Sequence, residues 1–278
     1  MKKKILSLIQ VSFTIFFIYY TVSKIDFNVF INVIKNTKSK FLILASIIYF
    51  LSQIVSSERL RYILQKNNFT LGFDKNLYLY FIGLFYNFFI PGGVSGDAYK
   101  GYLMSSIFNW NLKKTLKLIV LDRLIGFGVL CSILILLLEV IFFELNIILI
   151  ILTFIIVYCF GFILVKFIFK NQRIYFKTYL LSIISHILQF ISLITILLAL
   201  NISSNYFEII VVFIVSSIFS VLSVGGIGVR EYIFLSTASM LNYSPEVSAS
   251  IGLLFTFSAC ISSLPGLIFL IYKKSFIK

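Results

Sequence analysis

The chain has 278 residues, of which 60% are hydrophobic and 12% charged, and its mean hydropathy is +1.05. This composition excludes an ordinary soluble domain, in which about 25% of residues are charged. The formal net charge is +14, but the basic residues stand beside apolar segments, which is typical of topology signals and contact with anionic lipid. We therefore expect an all-α polytopic membrane protein of a bacterial or archaeal cytoplasmic membrane, whose partners are membrane lipids and not nucleic acid.

Six apolar stretches are long enough to cross a bilayer, which takes about 20 mostly apolar residues. Lys2, Lys3 and Lys4 precede the first stretch as in a signal peptide, but no small-residue cleavage site follows, so we expect a retained span. The whole chain, 1–278, is expected to form a single integral membrane domain. The predicted spans are 5–22, 41–57, 118–138, 147–169, 178–200 and 248–272.

The distribution of lysine and arginine orients these spans, since cytoplasmic connectors carry an excess of both residues. It predicts that both termini are cytoplasmic and that the connector 201–208, which has neither residue, faces outward. The connector 23–40 conflicts with this scheme because it should be external and yet contains four lysines. Its apolar residues indicate an interfacial helix or strand rather than a free loop.

Two further apolar stretches, 77–110 and 206–243, are interrupted near the middle by glycines and charges. The charge pattern is consistent only if each stretch enters and leaves on the same side, the first from the cytoplasm and the second from outside. Both are therefore predicted to be re-entrant hairpins or pairs of short spans. We refer to the two interruptions as the first break, 87–100, and the second break, 223–232.

The first break combines a proline with glycines and charges. Pro91 ends a helix, and broken backbone at membrane depth survives only where it is buried in protein or lines a wet cavity. A tight cytoplasmic turn between two ordinary spans is the alternative. Lys100 lies three residues after Asp97, so an ion pair between them is predicted. The candidate binding residues of this break are Asn87, Pro91, Gly92, Gly93, Gly96, Asp97 and Lys100.

The second break places charge inside an apolar stretch, where charged side chains are costly and usually face a cavity or a partner. A self-compensating structural ion pair is the alternative. Arg230 and Glu231 point about 100° apart on an ideal helix, so we expect different partners for them, with Glu231 capping a helix or pairing across the bundle. The candidate binding residues here are Gly225, Gly226, Gly228, Arg230 and Glu231.

The charged residues of the six uninterrupted spans are open to two interpretations. Asp122 and Arg123 form either an interface anchor or part of the functional site, and both are retained as candidate binding residues. Arg59 is interpreted as a topology marker. The single histidine, His186, is expected to hydrogen-bond a neighbouring helix, and the three cysteines lack metal-ligand spacing. We expect neither a metal nor a cofactor.

The two breaks are similar to each other. Residues 91–94 and 224–227 lie 133 residues apart, and each motif is followed by charge and then by tyrosine. Three predicted spans separate them, so a repeat would consist of inverted halves, 1–145 and 146–278. Interrupted segments at matching places in inverted halves indicate a substrate site near the midplane. Chance similarity of glycine-rich turns is the alternative.

These residues together resemble the flippase-like membrane domain family, also known as the lysylphosphatidylglycerol synthase transmembrane region. The resemblance covers most of the chain, with lysine at position 100 where the family more often has arginine. Lysine cannot form the bidentate fork of arginine. The resemblance is carried by Asn87 with Pro91, by Gly92, Gly93, Gly96 and Asp97, by Arg123 with Gly126, and by Gly225 to Glu231.

The resemblance implies flippase-like or scramblase-like translocation of a phospholipid or lipid-linked intermediate. Arg230 and Lys100 are expected to contact a phosphate, so the headgroup is expected to be anionic or phosphate-bearing. The best-known members are fused to a soluble aminoacyl-tRNA-dependent transferase, which we do not find here, so a separate synthase or a homo-oligomer is the expected protein partner. The alternatives are a lipid-modifying enzyme using Asp97 or Glu231 as a base, and a non-catalytic assembly partner of an envelope biosynthesis system. We favour translocation because the polar connectors are too short to fold a donor-binding domain.

Overall fold

The architecture is helical throughout the described part of the chain. The structure is a computed structural model and describes residues 2–91, 95–142, 147–169 and 174–271, among which no strand occurs. A short 3-10 turn, Ser220–Leu222, follows the ninth helix. The helices are α1 (Lys2–Lys24), α2 (Phe27–Lys35), α3 (Ser39–Gln65), α4 (Phe73–Phe89), α5 (Ser95–Phe108), α6 (Leu112–Phe142), α7 (Ile147–Phe169), α8 (Tyr175–Ala199), α9 (Tyr206–Phe219), α10 (Val229–Ser236), α11 (Ala238–Leu241), α12 (Pro245–Ser263) and α13 (Pro265–Ile271).

Four helical segments of the described residues are long and apolar enough to cross a membrane: α3, α6, α8, and α12 continued by α13. A fifth candidate is α1 with α2, which are bent by 95° at their junction. The chain is thus multi-pass, as predicted, but six crossings are not confirmed. α7, Ile147–Phe169, contributes the further apolar segment Ile151–Ile163.

The bundle is organised around the antiparallel pair of α3 and α8. Ser192 Oγ donates to the Ala45 carbonyl at 2.8 Å, and Ser185 Oγ donates to the Ser52 carbonyl at 3.2 Å. The Ser56 and Ser185 hydroxyls are 2.7 Å apart. Small hydroxyl residues let two helices approach closely and provide polar contacts where water is absent.

Both interrupted stretches fold back on themselves. In the first, Asn87 Oδ1 accepts the Gly96 N–H at 2.9 Å, which joins the end of α4 to the start of α5. In the second, Asn205 Nδ2 donates to the Leu241 carbonyl at 2.8 Å, which joins the start of α9 to the end of α11. We call the first the α4–α5 hairpin and the second the α9–α11 hairpin.

The connector 23–40, whose lysines conflict with the predicted topology, contains α2 and packs at one end of the bundle. Asp26 accepts the N–H groups of Asn28 and Val29 as the N-cap of α2. The Asp26 N–H donates to Glu246 at 3.1 Å, and the Lys38 N–H donates to the Ala199 carbonyl at 3.0 Å. The connector therefore shares its end of the bundle with the segments around 200 and 245, as an external connector must in the predicted topology.

The orientation of the bundle can be tested by cysteine labelling in intact cells, with the native cysteines replaced by alanine. Ser203→Cys should react with a membrane-impermeant maleimide, because this exposed residue lies in the connector that lacks lysine and arginine. Thr70→Cys is the matched control, exposed at the opposite end of the bundle between α3 and α4. If only Thr70→Cys were labelled, the orientation of the bundle would be the reverse of the predicted one.

The packing of the α4–α5 hairpin predicts a sharp difference between two glycines. A Cβ on Gly96 would collide with the Gly83 carbonyl and come within 2.6 Å of the Asn87 nitrogen, whereas Gly128 has open space around it. Gly96→Ala should cost about 1 to 3 kcal/mol, as overpacking does, and Gly128→Ala should cost nothing. Thermal unfolding in detergent measures both, and equal melting temperatures would refute this packing.

Candidate functional site

The two breaks touch each other. Gly225 has a φ of +63°, and a Cβ there would lie 2.7 Å from the Phe88 carbonyl oxygen in the last turn of α4. Glycine is therefore required both by the backbone conformation and by the close approach. Along α1, Ser7 reaches the first break at Pro91, while Thr14 reaches the second. Gly92 and Gly93 lie outside the described residues.

At the first break, Asp97 is held by two cations. Arg123 donates to its two carboxylate oxygens at 2.8 and 2.9 Å, and Lys100 Nζ donates at 3.0 Å. The predicted ion pair between Asp97 and Lys100 is confirmed. Lys100 is fully buried, with its ammonium 4.9 Å from the centroid of the Tyr80 ring. Three charge-assisted hydrogen bonds make this carboxylate a fixed counter-ion.

A second buried ion pair was not predicted. Arg59 donates to both oxygens of Asp122, at 2.7 and 3.2 Å, and its third nitrogen donates to Ser182 at 2.8 Å. Asp122 and Arg123, adjacent in sequence, thus serve different partners. The interpretation of Arg59 as a topology marker missed this contact. The sequence does contain a pattern that indicates a buried Arg59, because this residue follows Ser52 and Ser56 at helical spacing, on what is the buried face of α3.

Gly126 makes room for the Arg59 side chain. A Cβ at this glycine would lie 2.7 Å from Arg59 Nη1. The Gly126 carbonyl also lies 3.0 Å from His186 Nε2, so the imidazole bonds a neighbouring helix, as predicted. In the described ranges, no group of three histidine, cysteine or acidic side chains is placed to hold a metal.

The second break is shaped by three glycines with positive φ, namely Gly225, Gly226 and Gly228. Glu231 turns back and accepts the Gly228 N–H at 2.6 Å, which caps the start of α10 as predicted. A Cβ on Gly226 would lie 3.2 Å from Arg230 Cζ, so this glycine leaves space for the guanidinium.

Arg230 is buried without a hydrogen-bonded counter-ion. Its guanidinium carbon lies 5.2 Å from the centroid of the Phe255 ring on α12, and no ion pair with Glu231 occurs in the described structure. Nε and Nη1 are enclosed and have no acceptor among the described residues. Thr256 Oγ1 on the same helix and Glu231 Oε1 are likewise buried without a hydrogen bond of normal geometry. The two breaks are therefore built differently: the cations of the first are hydrogen-bonded to a carboxylate, whereas Arg230 of the second has two enclosed nitrogens without an acceptor among the described residues.

These features define a multi-pass membrane protein with charged side chains buried at two touching helix breaks. Comparison with family models matches residues 7–177 and 166–266 to the lysylphosphatidylglycerol synthase TM region. These two matches together cover most of the chain, and it belongs to that family. No curated protein and no solved structure gives a match.

The Arg59 ion pair predicts a large difference between two nearby arginines. Arg59→Met leaves Asp122 unpaired in the interior, which should cost about 3 to 5 kcal/mol. Arg61→Met breaks only the partly exposed pair with Glu58 and should cost about 1 kcal/mol or less. Thermal unfolding in detergent measures both. Comparable stability of the two variants would show that Arg59 contributes no buried pair.

Proposed function

We propose that this protein translocates a phospholipid or lipid-linked intermediate across the membrane, as a flippase or scramblase does, and that the headgroup binds beside the touching breaks. The observation that carries the proposal is the buried Arg230 guanidinium, two nitrogens of which lack an acceptor in the part of the chain that the structure describes. Leaving a charged donor buried and unpaired costs several kcal/mol. An anionic oxygen of a lipid headgroup removes that cost by accepting both N–H groups.

The spacing of the helices supports an inverted repeat behind this site. α3, α4, α5 and α6 begin 133 to 136 residues before α8, α9, α10 and α12. Because α3 and α8 pack antiparallel, the two halves run in opposite directions. In this proposal the α4–α5 hairpin enters the membrane from the cytoplasm and the α9–α11 hairpin from outside, so that their tips meet inside it.

The repeat also explains why the second break lacks a counter-ion. A shift of 133 residues places Arg230 on the position of Asp97, and Thr256 on the position of Arg123. The first half therefore contains both members of an ion pair, while the second half has a cation and a neutral hydroxyl. In the proposal, the headgroup supplies the missing negative charge at Arg230.

The total charge around the breaks favours a single negative charge on the ligand. Four cations and three carboxylates give one excess positive charge: Lys100 and Arg123 share the carboxylate of Asp97, and Arg230 forms no ion pair with Glu231 in the described structure. A phosphodiester carries one negative charge and so neutralises the group in a medium where net charge is costly. The charged residues in this count are Arg59, Lys100, Arg123 and Arg230, with Asp97, Asp122 and Glu231.

Arg230→Gln tests the proposal, because glutamine keeps polarity and most of the volume but removes the charge. Translocation of fluorescent phosphatidylglycerol in proteoliposomes should fall about tenfold or more, since hydrogen bonds to charged groups contribute about 1.5 to 3 kcal/mol. The variant should melt no lower than the parent protein, because Nε and Nη1 of Arg230 have no acceptor among the described residues. The control is Arg61→Gln, which should leave translocation unchanged.

The opposite combination of stability and translocation in Arg230→Gln would support a structural role for Arg230. A clear loss of stability in Arg230→Gln, with the remaining folded protein translocating lipid at the parental rate, would reject the headgroup site.

A further inference from the structure

The first helix reaches the second break through polar side chains. Gln10 Nε2 donates to the Val221 carbonyl at 2.9 Å, and the Val224 N–H donates to Thr14 Oγ1 at 2.9 Å. The Thr14 hydroxyl in turn donates to the Gln10 carbonyl at 2.8 Å. Both contacts go to backbone groups of the segment between α9 and α10, where helical hydrogen bonds are interrupted. In a membrane such groups have to be satisfied by protein.

The contact continues along α1 to the start of α10. A Cβ on Gly228 would lie 3.0 Å from the Thr14 carbonyl oxygen and 3.2 Å from the Ile18 nitrogen. The Tyr232 ring is packed at 4.9 Å from Phe17 and 5.3 Å from Tyr20, measured between centroids. α1 therefore follows the chain from Val221 to Tyr232, and Arg230 lies within this segment.

The side chain of Arg230 does not point at α1. It lies over Phe255 of α12, whereas Gly228 and Tyr232 contact α1. α1 thus acts on Arg230 only through the backbone that carries it. The other face of α1 is exposed, with Leu8, Ile15 and Tyr19 each more than 60% exposed. Loss of a polar contact on α1 should therefore affect the break more than the bundle interior.

We propose that Gln10 and Thr14 are positioning residues for the anion site: they hold residues 221–228 in the conformation that directs Arg230 toward Phe255. This inference rests on the proposed function, because it concerns the same headgroup site. It assigns to α1 a role in lipid recognition beyond crossing the membrane. The contact of Ser7 Oγ with the Pro91 carbonyl, at 3.4 Å, places the same helix against the first break.

Thr14→Val is the direct test, because valine has nearly the shape of threonine and lacks the hydroxyl. The assay uses vesicles of phosphatidylcholine and phosphatidylglycerol with a trace of fluorescent phosphatidylglycerol, and the initial rate is measured against the phosphatidylglycerol fraction. One hydrogen bond contributes about 0.5 to 1.5 kcal/mol. Its loss should therefore raise the phosphatidylglycerol fraction that gives half the maximal rate about two- to tenfold. The maximal rate should change little. Thr14→Ser, which keeps the hydroxyl, should restore the parental curve.

Two further variants separate positioning from general damage. Ile15→Val, on the exposed face of α1, should match the parent protein. Thr14→Val added to Arg230→Gln should cause no further loss, because residues that act through one another are not additive. If Thr14→Val does not accumulate, Gln10→Met gives the same test by removing the amide at nearly constant length.

The outcomes are distinct. Suppose that the parent protein translocates lipid. The positioning role is then overturned if Thr14→Val or Gln10→Met leaves the dependence of rate on phosphatidylglycerol unchanged, or if the effects of Thr14→Val and Arg230→Gln are fully additive. The proposed function would remain intact. Parent protein that translocates no lipid in these vesicles rejects the proposed function, and the positioning role falls with it.

Discussion

The constraint on which this structure depends is that a membrane offers no water to backbone groups or charges left unpaired. Each interrupted helix has to find its partners inside the protein. At the first break the Asn87 side chain accepts the Gly96 N–H, and at the second Thr14 accepts the Val224 N–H. These contacts fix the tips of both hairpins and bring Gly225 against Phe88.

The same constraint separates the charged residues into two kinds. Arg59, Lys100 and Arg123 all have a carboxylate within hydrogen-bonding distance, Asp122 for Arg59 and the shared Asp97 for the other two. Arg230 has the face of Phe255 and no acceptor for two of its nitrogens in the described structure. Structural pairing alone does not account for one cation without a carboxylate partner. A protein that binds an anion accounts for it, because the cation that binds the anion must not already be paired within the protein.

The sequence predicted the helical membrane class, the two breaks and the pairing of Lys100 with Asp97, because these depend on composition and on spacing within one helix. It also predicted that Glu231 would act separately from Arg230. It did not predict the pairing of Arg59 with Asp122, since which helices face each other is decided by tertiary packing. The contacts of α1 with the second break were not predicted for the same reason: Gln10 and Thr14 are unremarkable in an apolar stretch until a broken segment lies beside them.

The central claim is that Arg230 is the receptor for a lipid anion. The most direct measurement is a cryo-electron microscopy structure of the protein in nanodiscs that contain phosphatidylglycerol. The account predicts density for a headgroup phosphate within hydrogen-bonding distance of Arg230 Nε and Nη1. An Arg230 side chain paired with a carboxylate of the protein, with no lipid at that position, would contradict it.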